Sequence, residues 1–404
     1  MSSQLQYDII IVGAGIVGLT AALAFSRLGQ LNIAVLDQRE IKLAPAKQNA
    51  SRVSAITAAS KNIFSHLQVW PQLKCLSAFK QIQIWDAAFQ TCQFQARDHD
   101  AQVLGFIAEN DEIYAALLAT VKTKSNIYLH PSVRLETYHQ DTNGVLLNNH
   151  FFGKLICAAD GADSWVRSQN QMTLQQEDYA QSAIIANVAT DITHAQTAQQ
   201  YFLKQGPLAF LPLQHPLHRS IVWSAPTGEI EKLMQLSDAD FCAALLTETQ
   251  SAGSFKKIKL LSPRQMHTLK MRHADQYVMD HVVLLGDAAH TLHPLAGLGL
   301  NMGLLDVAYL YDCVFANIKK HRRYEKRYNL RSFERIARVK NAEKIQMIAS
   351  IKKIFASQTK PLPFWRHLGL SMLNEQTLLK RLCIGFATGE DLPSLAQTSQ
   401  GLAC

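Results

Sequence analysis

A short apolar run near the start of the chain, Tyr7–Val12, is followed at once by the segment GAGIVG, residues 13–18. A second apolar run, Asn32–Leu36, comes soon after and ends in Asp37. The order strand, Gly-x-Gly-x-x-Gly, helix, strand, acid is typical of a unit that binds a dinucleotide. It also predicts a parallel sheet with helices packed on it. The less specific alternative is a glycine-rich turn in an α/β fold that binds no such ligand.

The residues of this unit have distinct expected tasks. Gly13 would make the tight turn, Gly15 would let a pyrophosphate approach the backbone, and Gly18 would let the helix press on the sheet. Asp37 would hold a ribose hydroxyl, which implies an adenosine ribose with a free 2′-OH. FAD and NAD both meet that requirement, so the unit alone does not choose between them.

A second stretch, residues 282–306, reads VVLLGDAAHTLHPLAGLGLNMGLLD. It opens with a continuous apolar run, as expected of a strand that is buried on both faces. Asp287 follows at the carboxyl end of that strand, where parallel sheets bind their ligands, so it is placed to accept hydrogen bonds from a polyol. The alternative is an ordinary strand, loop and helix with a glycine-rich turn.

The loop in the same stretch can bring backbone close to a flat ligand. Pro294, Gly297 and Gly299 have side chains that are tied back or absent. Leu300 and Asn301 are expected in the first turn of a helix that runs to about residue 318. The free N–H groups and the positive dipole end of this helix start suit developing negative charge.

Three further residues are candidates for the same site. The apolar run Lys154–Ala158 leads into ADGADSWVR, residues 159–167, so Asp160 is another acid at the end of a strand. Arg52 is a candidate partner for a pyrophosphate, although a surface arginine explains it equally well. Asn110 lies near the predicted start of a helix, where asparagine is also common without a ligand.

The composition bounds the class of protein. The chain of 404 residues is 48% hydrophobic with a net charge of +8, which is ordinary for a folded protein. Its seven cysteines are scattered without a Cys-x-x-Cys pair, which favours a reducing, cytoplasmic compartment and argues against a disulfide framework or a metal site. No zinc-finger or RNA-binding signature is present, so a nucleic-acid partner is not expected.

The pattern of elements predicts an α/β fold in which a Rossmann-like dinucleotide-binding domain is interleaved with a smaller antiparallel substrate domain. The predicted segments are 1–78, 99–175 and 272–318 for the first domain, 79–98 and 176–271 for the second, and 319–404 for a helical C-terminal region. Lys319–Lys344 is strongly basic. A solvated helix face is the favoured explanation, over contact with an acidic partner or with the surface of the inner membrane.

The three motifs GAGIVG, ADGADSWVR and GDAAHTLHPLAGLGLNMG together resemble the class A FAD-dependent aromatic monooxygenases of the para-hydroxybenzoate hydroxylase fold. Segments between them are similar to the ubiquinone-biosynthesis flavin hydroxylases: RVSAI at 52–56, WDA at 85–87, LGFIAEN at 104–110, GPLAFLPL at 206–213, VWS at 222–224 and NMGLLD at 301–306. The chain departs from the family pattern at Leu298, where a polar residue is usual, and at Ala158 and Asp163.

The resemblance implies roles for the candidate residues. Those implied for the ADP half of FAD are Gly13, Gly15, Gly18, Asp37 and, at the pyrophosphate, Arg52. Those implied for the ribityl chain are Asn110 and Asp287. Asp160 belongs to the motif that the family uses for FAD and the pyridine nucleotide. Those implied for the edge of the isoalloxazine are Pro294, Gly297, Gly299, Leu300 and Asn301.

The implied activity is hydroxylation of the ring of a polyprenylated phenol or benzoquinol. NADPH or NADH would reduce FAD as a transient reductant, and O2 would add at flavin C4a to give a hydroperoxide. Two alternatives stay open: a flavoenzyme acting as an epoxidase or reductase on another apolar substrate, and a flavin-binding structural member of a ubiquinone-biosynthesis complex. No general base is assigned, because His290 and His293 are more simply explained as structural residues.

Overall fold

The computed structural model of the protein describes residues 4–29, 31–42, 52–86, 89–99, 101–250, 255–292, 297, 299–356 and 393–396. The strands are β1 Leu5–Val12, β2 Ile33–Leu36, β3 Val53–Ile56, β4 Leu76–Phe79, β5 Gln81–Asp86, β6 Phe89–Gln95, β7 Gly105–Glu109, β8 Ile127–His130, β9 Tyr138–Gln140, β10 Val145–Leu147, β11 Phe151–Ala158, β12 Leu174–Thr190, β13 Thr197–Leu203, β14 Gly206–Pro212, β15 His218–Pro226, β16 Ile258–Leu260, β17 Gln265–Ala274, β18 Val278–Met279, β19 Val282–Leu284 and β20 His290–Thr291. The helices are α1 Ile16–Ser26, α2 Ala58–His66, α3 Asn110–Val121, α4 Trp165–Gln169, α5 Thr227–Gln235, α6 Asp238–Thr249, α7 Gly299–Lys319 and α8 Arg327–Ala356.

The first sheet has a parallel centre. Its strands run in the order β18, β19, β11, β1, β2 and β8, and β1 pairs in parallel with both β11 and β2. Ile9, Ile10 and Ile11 of β1 are fully buried. Helices cover both faces of such a sheet, so an uninterrupted apolar strand is stable there. This sheet and its helices form the larger hydrophobic core.

The second sheet is mostly antiparallel, in the order β20, β17, β12, β15, β14, β13, β5 and β6. Its core includes Trp85 and Tyr201, whose rings stack with centroids 4.7 Å apart. The long strand β12 pairs with both β15 and β17. A third, small sheet joins β3, β7 and β4.

The predicted α/β class is therefore confirmed. The predicted helix after residue 299 runs to Lys319, and the predicted hairpin near residues 79–96 is β5 with β6. Helix α5 was not predicted. Of the expected helical C-terminal region, α8 is helical, and residues 357–392 and 397–404 lie outside the described part of the chain. No helix among the described residues is long and apolar enough to cross a lipid bilayer.

Candidate active site

The carboxyl ends of four parallel strands form one edge of the first sheet. Their last residues stand in register across the sheet, in the order Leu36, Val12, Ala158 and Leu284. Asp37, Asp160 and Asp287, the three acids predicted from the sequence, follow the ends of β2, β11 and β19. The fold therefore brings them to the same edge, where open α/β sheets bind ligands.

The turn between β1 and α1 needs two of its glycines for the chain's own packing. Gly13 has a φ of +103°, and a Cβ there would lie 2.3 Å from the carbonyl oxygen of Ala159. A Cβ on Gly18 would lie 1.9 Å from the carbonyl oxygen of Gly13. Gly15 is different, because no atom in the described part of the chain lies within 4 Å of the position of its Cβ. The open space above Gly15, at the start of α1, fits the close approach of a pyrophosphate.

Asp37 is hydrogen-bonded to the backbone of this turn. Its carboxylate oxygens accept hydrogen bonds from the N–H groups of Ala14 and Arg39, each at 2.7 Å. Each oxygen has two lone pairs, so each keeps one for a further donor such as a ribose hydroxyl. The geometry fits the predicted sugar contact while giving Asp37 a structural task as well.

The start of α7 presses directly on the first glycine turn. A Cβ on Gly303 would lie 2.7 Å from Cγ2 of Val17 and 3.2 Å from Cα of Gly286. Helix α7 therefore meets α1 and the turn after β19 at one point, and glycine permits this closeness. At the beginning of α7, no atom of the described residues lies within 4 Å of the Cβ position of Gly299, which leaves space for a ligand on that side of the first turn.

The side chain of Asn301 is held by contacts within the protein. It is 2% exposed, and its amide donates to the carbonyl oxygens of Ala55 at 2.6 Å and Gly297 at 3.2 Å. Its Oδ1 accepts from the N–H and hydroxyl of Thr57 at 3.0 and 3.2 Å. These four bonds use the full capacity of a carboxamide. The side chain of Asn301 therefore has no hydrogen-bonding capacity left for a ligand.

Arg52 and Asn110 are joined through the small sheet. The N–H of Asn110 donates to the carbonyl oxygen of Arg52 at 3.2 Å, and its Oδ1 accepts from the hydroxyl of Ser54 at 2.7 Å. Arg52 is exposed and precedes the strand that carries Ala55, the partner of Asn301. The structure thus brings Arg52, Asn110 and the start of α7 together. Pro294 and His293 lie outside the described residues.

Asp160 is a largely buried acid beside the glycine turn. Its Oδ2 accepts from the N–H of Val166 at 3.2 Å, whereas its buried Oδ1 has no partner among the described residues. Burial raises the pKa of this carboxyl group. An unpartnered oxygen at this place fits a donor supplied by a ligand or by water.

Arg167 ties two loops of the site together. It is buried, and its guanidinium donates to the carbonyl oxygens of Ala162 and Ala288, each at 2.9 Å. Arg167 lies inside a motif recognised from the sequence, but its task was not predicted. The available signal was an arginine in the first turn of a helix that follows a buried strand.

A buried polar cluster supports the turn that carries Asp287. Asp306 is 0% exposed, and its Oδ2 accepts from the N–H of Gly286 at 3.1 Å and lies 2.6 Å from Nε2 of His290. Its Oδ1 accepts from the amide of Asn341 at 2.9 Å. Asp306 is a functional residue that the sequence motifs did not predict. The signal was an acid flanked on both sides by apolar residues of a helix, because an acid buried there requires partners.

Comparison with known proteins assigns the chain to a family. A family model described as FAD binding domain matches residues 6–343, so the chain belongs to this family. The structure of p-nitrophenol 4-monooxygenase PnpA from Pseudomonas putida DLL-E4 superposes with a TM-score of 0.77, covering 96% of this chain and all of that one, at 16% identity. The superposition shows the same fold.

Relatives of nearly full length narrow the class. The ubiquinone biosynthesis monooxygenase COQ6 of Danio rerio is 29% identical over 442 residues, covering 95% of this chain and 90% of the relative. The 3-demethoxyubiquinol 3-hydroxylase of Escherichia coli K12 is 29% identical over 394 residues, covering 95% and 98%. The predicted enzyme class, a FAD-dependent monooxygenase, is confirmed at the level of the family.

Proposed function

We propose that this chain uses FAD, NAD(P)H and O2 to hydroxylate the ring of a polyprenylated phenol or benzoquinol in ubiquinone biosynthesis. The observation that carries the proposal is similarity over 95% of the chain to relatives named as hydroxylases or monooxygenases of that pathway. The geometry supports it, because the ends of the parallel strands share one edge of the first sheet and the glycine turn there leaves space for a ligand.

The chain's own residues would bind and orient the cofactor. The start of α1 at Gly15 would face the pyrophosphate, with Arg52 as a second partner, and Asp37 would accept from the ribose. Asn110 and Asp287 would hold the ribityl chain. The Nδ2 of Asn110 makes no hydrogen bond to a described residue, so the amide can donate to a hydroxyl.

The start of α7 would stand at the edge of the flavin ring. When bound, FAD supplies the chemistry that accepts hydride from NAD(P)H and activates O2. The N–H groups in the first turn of a helix have no partner within that helix. Those of α7, with the dipole of the 21-residue helix, would stabilise negative charge on the ring. We assign no general base among the described residues, because His290 is committed to Asp306.

The substrate's prenyl tail sets a further requirement. A polyprenylated ring partitions into a bilayer, so the enzyme would collect it at the membrane surface or from a partner in a biosynthetic complex. Phe210 and Trp223 are aromatic residues of the kind that could line a tail channel, but they are 0% and 4% exposed within the core of the second sheet. Their packing explains them without a substrate.

The purified protein tests the proposal directly. We expect the visible absorption of oxidised flavin, and NADPH oxidation and O2 uptake that a prenylated phenol accelerates. Mass spectrometry should show a product that has gained one oxygen atom. A protein that binds flavin but responds to no prenylated phenol would contradict the substrate and favour a structural role. A folded protein that binds no FAD would contradict the site itself.

A further inference from the structure

A cavity of about 610 Å³ lies along one flank of α8, and none of its lining residues belongs to the FAD site. The lining residues are His273, Arg331, Ser332, Glu334, Arg335, Arg338, Val339 and Ala342. The basic segment recognised from the sequence therefore includes a concave surface. A solvated helix face, the favoured explanation of that segment, does not by itself account for a cavity.

The side chains that line the cavity carry net positive charge. Arg331, Arg335 and Arg338 are spaced four and three residues apart, so they lie side by side on the helix. The single acid in the lining is Glu334, and its Oε1 accepts from the backbone N–H groups of residues 277–278 at 2.9 and 3.3 Å. Within the described part of the chain, none of the three arginines pairs with a carboxylate, whereas Arg264, Arg272 and Arg323 do.

Two lining residues each have a buried nitrogen atom without a hydrogen-bond partner in the described part of the chain. The buried Nε of Arg338 and the buried Nε2 of His273 have no partner among the described residues. Burial, His290 and the charge of Arg338 together lower the pKa of His273 to about 4. Such a positively charged pocket favours an anion with several acceptor oxygens.

We propose that this cavity binds a phosphate-bearing anion through Arg331, Arg335 and Arg338. Guanidinium groups match phosphate oxygens in forked pairs, and three of them on one helix flank suit a dianion. The cavity is larger than a single phosphate needs, so the phosphate would be part of a larger molecule. A phosphorylated metabolite and a phospholipid headgroup share this chemistry.

Calorimetry on the FAD-loaded protein tests the site with inorganic pyrophosphate, so that the dinucleotide site is already filled. A co-sedimentation arm uses phosphatidic acid vesicles against phosphatidylcholine vesicles. The variant R331Q/R335Q changes two exposed side chains and should fold normally. It should bind the phosphate probe at least about tenfold more weakly. The variant K122Q/K124Q, which removes two exposed charges elsewhere, should bind like the unmodified protein.

The two arms separate the sources of the phosphate. Arginine-dependent binding of pyrophosphate alone would indicate a soluble ligand, and arginine-dependent binding of phosphatidic acid vesicles would indicate a headgroup. The proposal is overturned if neither probe binds, or if both variants lose affinity equally. Flavin absorbance and circular dichroism of each variant verify that it is folded.

Discussion

Asp306 and His290 form a fully buried pair, with Oδ2 and Nε2 2.6 Å apart and each side chain 1% exposed. The same carboxylate oxygen accepts from the N–H of Gly286. Asp306 therefore contacts both ends of the turn that carries Asp287, at Gly286 and at His290. The exposed Asp287 is held by a buried acid that never needs to touch the ligand.

The substitution D306N should weaken both the fold and FAD binding. Both carboxylate oxygens accept from N–H donors, so the amide nitrogen of asparagine would face a donor in either orientation. We expect a loss of about 1–3 kcal/mol in the free energy of unfolding and about tenfold in FAD affinity. Denaturant titration and flavin fluorescence measure the two.

A matched control lies on the same helix. Asp312 accepts from the N–H of Ser394 at 2.9 Å and does not contact the turn. D312N should leave FAD affinity unchanged. If D306N retains flavin as well as D312N does, Asp306 does not position the turn.

Substitutions of the two glycines Gly13 and Gly15 in the first turn should have different effects, one on stability and the other on FAD binding. G15A adds a methyl group to open space at a φ of −72°, so the free energy of unfolding without FAD should change by less than about 0.5 kcal/mol. The same methyl would meet the pyrophosphate, so FAD affinity should fall at least about tenfold. G13A should instead cost about 3 kcal/mol of stability or prevent folding, because it adds a clash and an unfavourable φ. If G15A binds FAD as tightly as the unmodified protein does, the pyrophosphate does not lie at this turn.

Helix α7 should be sensitive to a single methyl group at its contact with α1. G303A would place a Cβ 2.7 Å from Cγ2 of Val17, and the strain should cost about 1–3 kcal/mol. The double variant V17A/G303A should recover part of this loss, because the obstructing methyl groups are gone. G228A, at a helical glycine with nothing within 4 Å, is the control and should not destabilise. Thermal melts of the unmodified protein and the three variants measure these effects. If G303A and G228A have the same Tm, the close contact between Gly303 and Val17 is refuted.

His273 should make stability depend on pH. Burial, His290 and Arg338 lower its pKa from 6.5 to about 4, and the weaker attraction of Asp275 and Asp306 opposes this. The folded state therefore favours neutral histidine, and stability present above pH 6.5 is lost progressively as the pH falls toward 4. Between pH 7 and pH 5, the Tm of H273Q should fall by about 2 °C less than the Tm of the unmodified protein. The effect is modest because His273 is partly exposed and solvent screens its charge.

The exposed His139 provides the comparison for that experiment. H139Q should show the same pH dependence of Tm as the unmodified protein. A pH dependence that is identical in H273Q and H139Q would mean that His273 titrates normally in the folded protein.

The sequence predicted features that depend on neighbours along the chain. The strand ends, the glycine turn and the start of α7 follow from apolar runs and from glycine spacing, which are local signals. The tasks of Arg167 and Asp306 depend on contacts with Ala288 and Asn341, far away in the sequence. No local pattern specifies such partners. Asn301 shows the same limit, because its side chain is saturated by residues 55, 57 and 297.

The bond between Asn341 and Asp306 has a consequence for the order in which the protein matures. A growing chain leaves the ribosome from its amino end, so the GAGIVG turn emerges long before residue 341. Until α8 follows, Asp306 lacks a donor for its Oδ1, and the turn from Gly286 to His290 rests on an incompletely paired acid. We therefore expect stable uptake of flavin only after synthesis has passed residue 341, when the donor for Asp306 is in place.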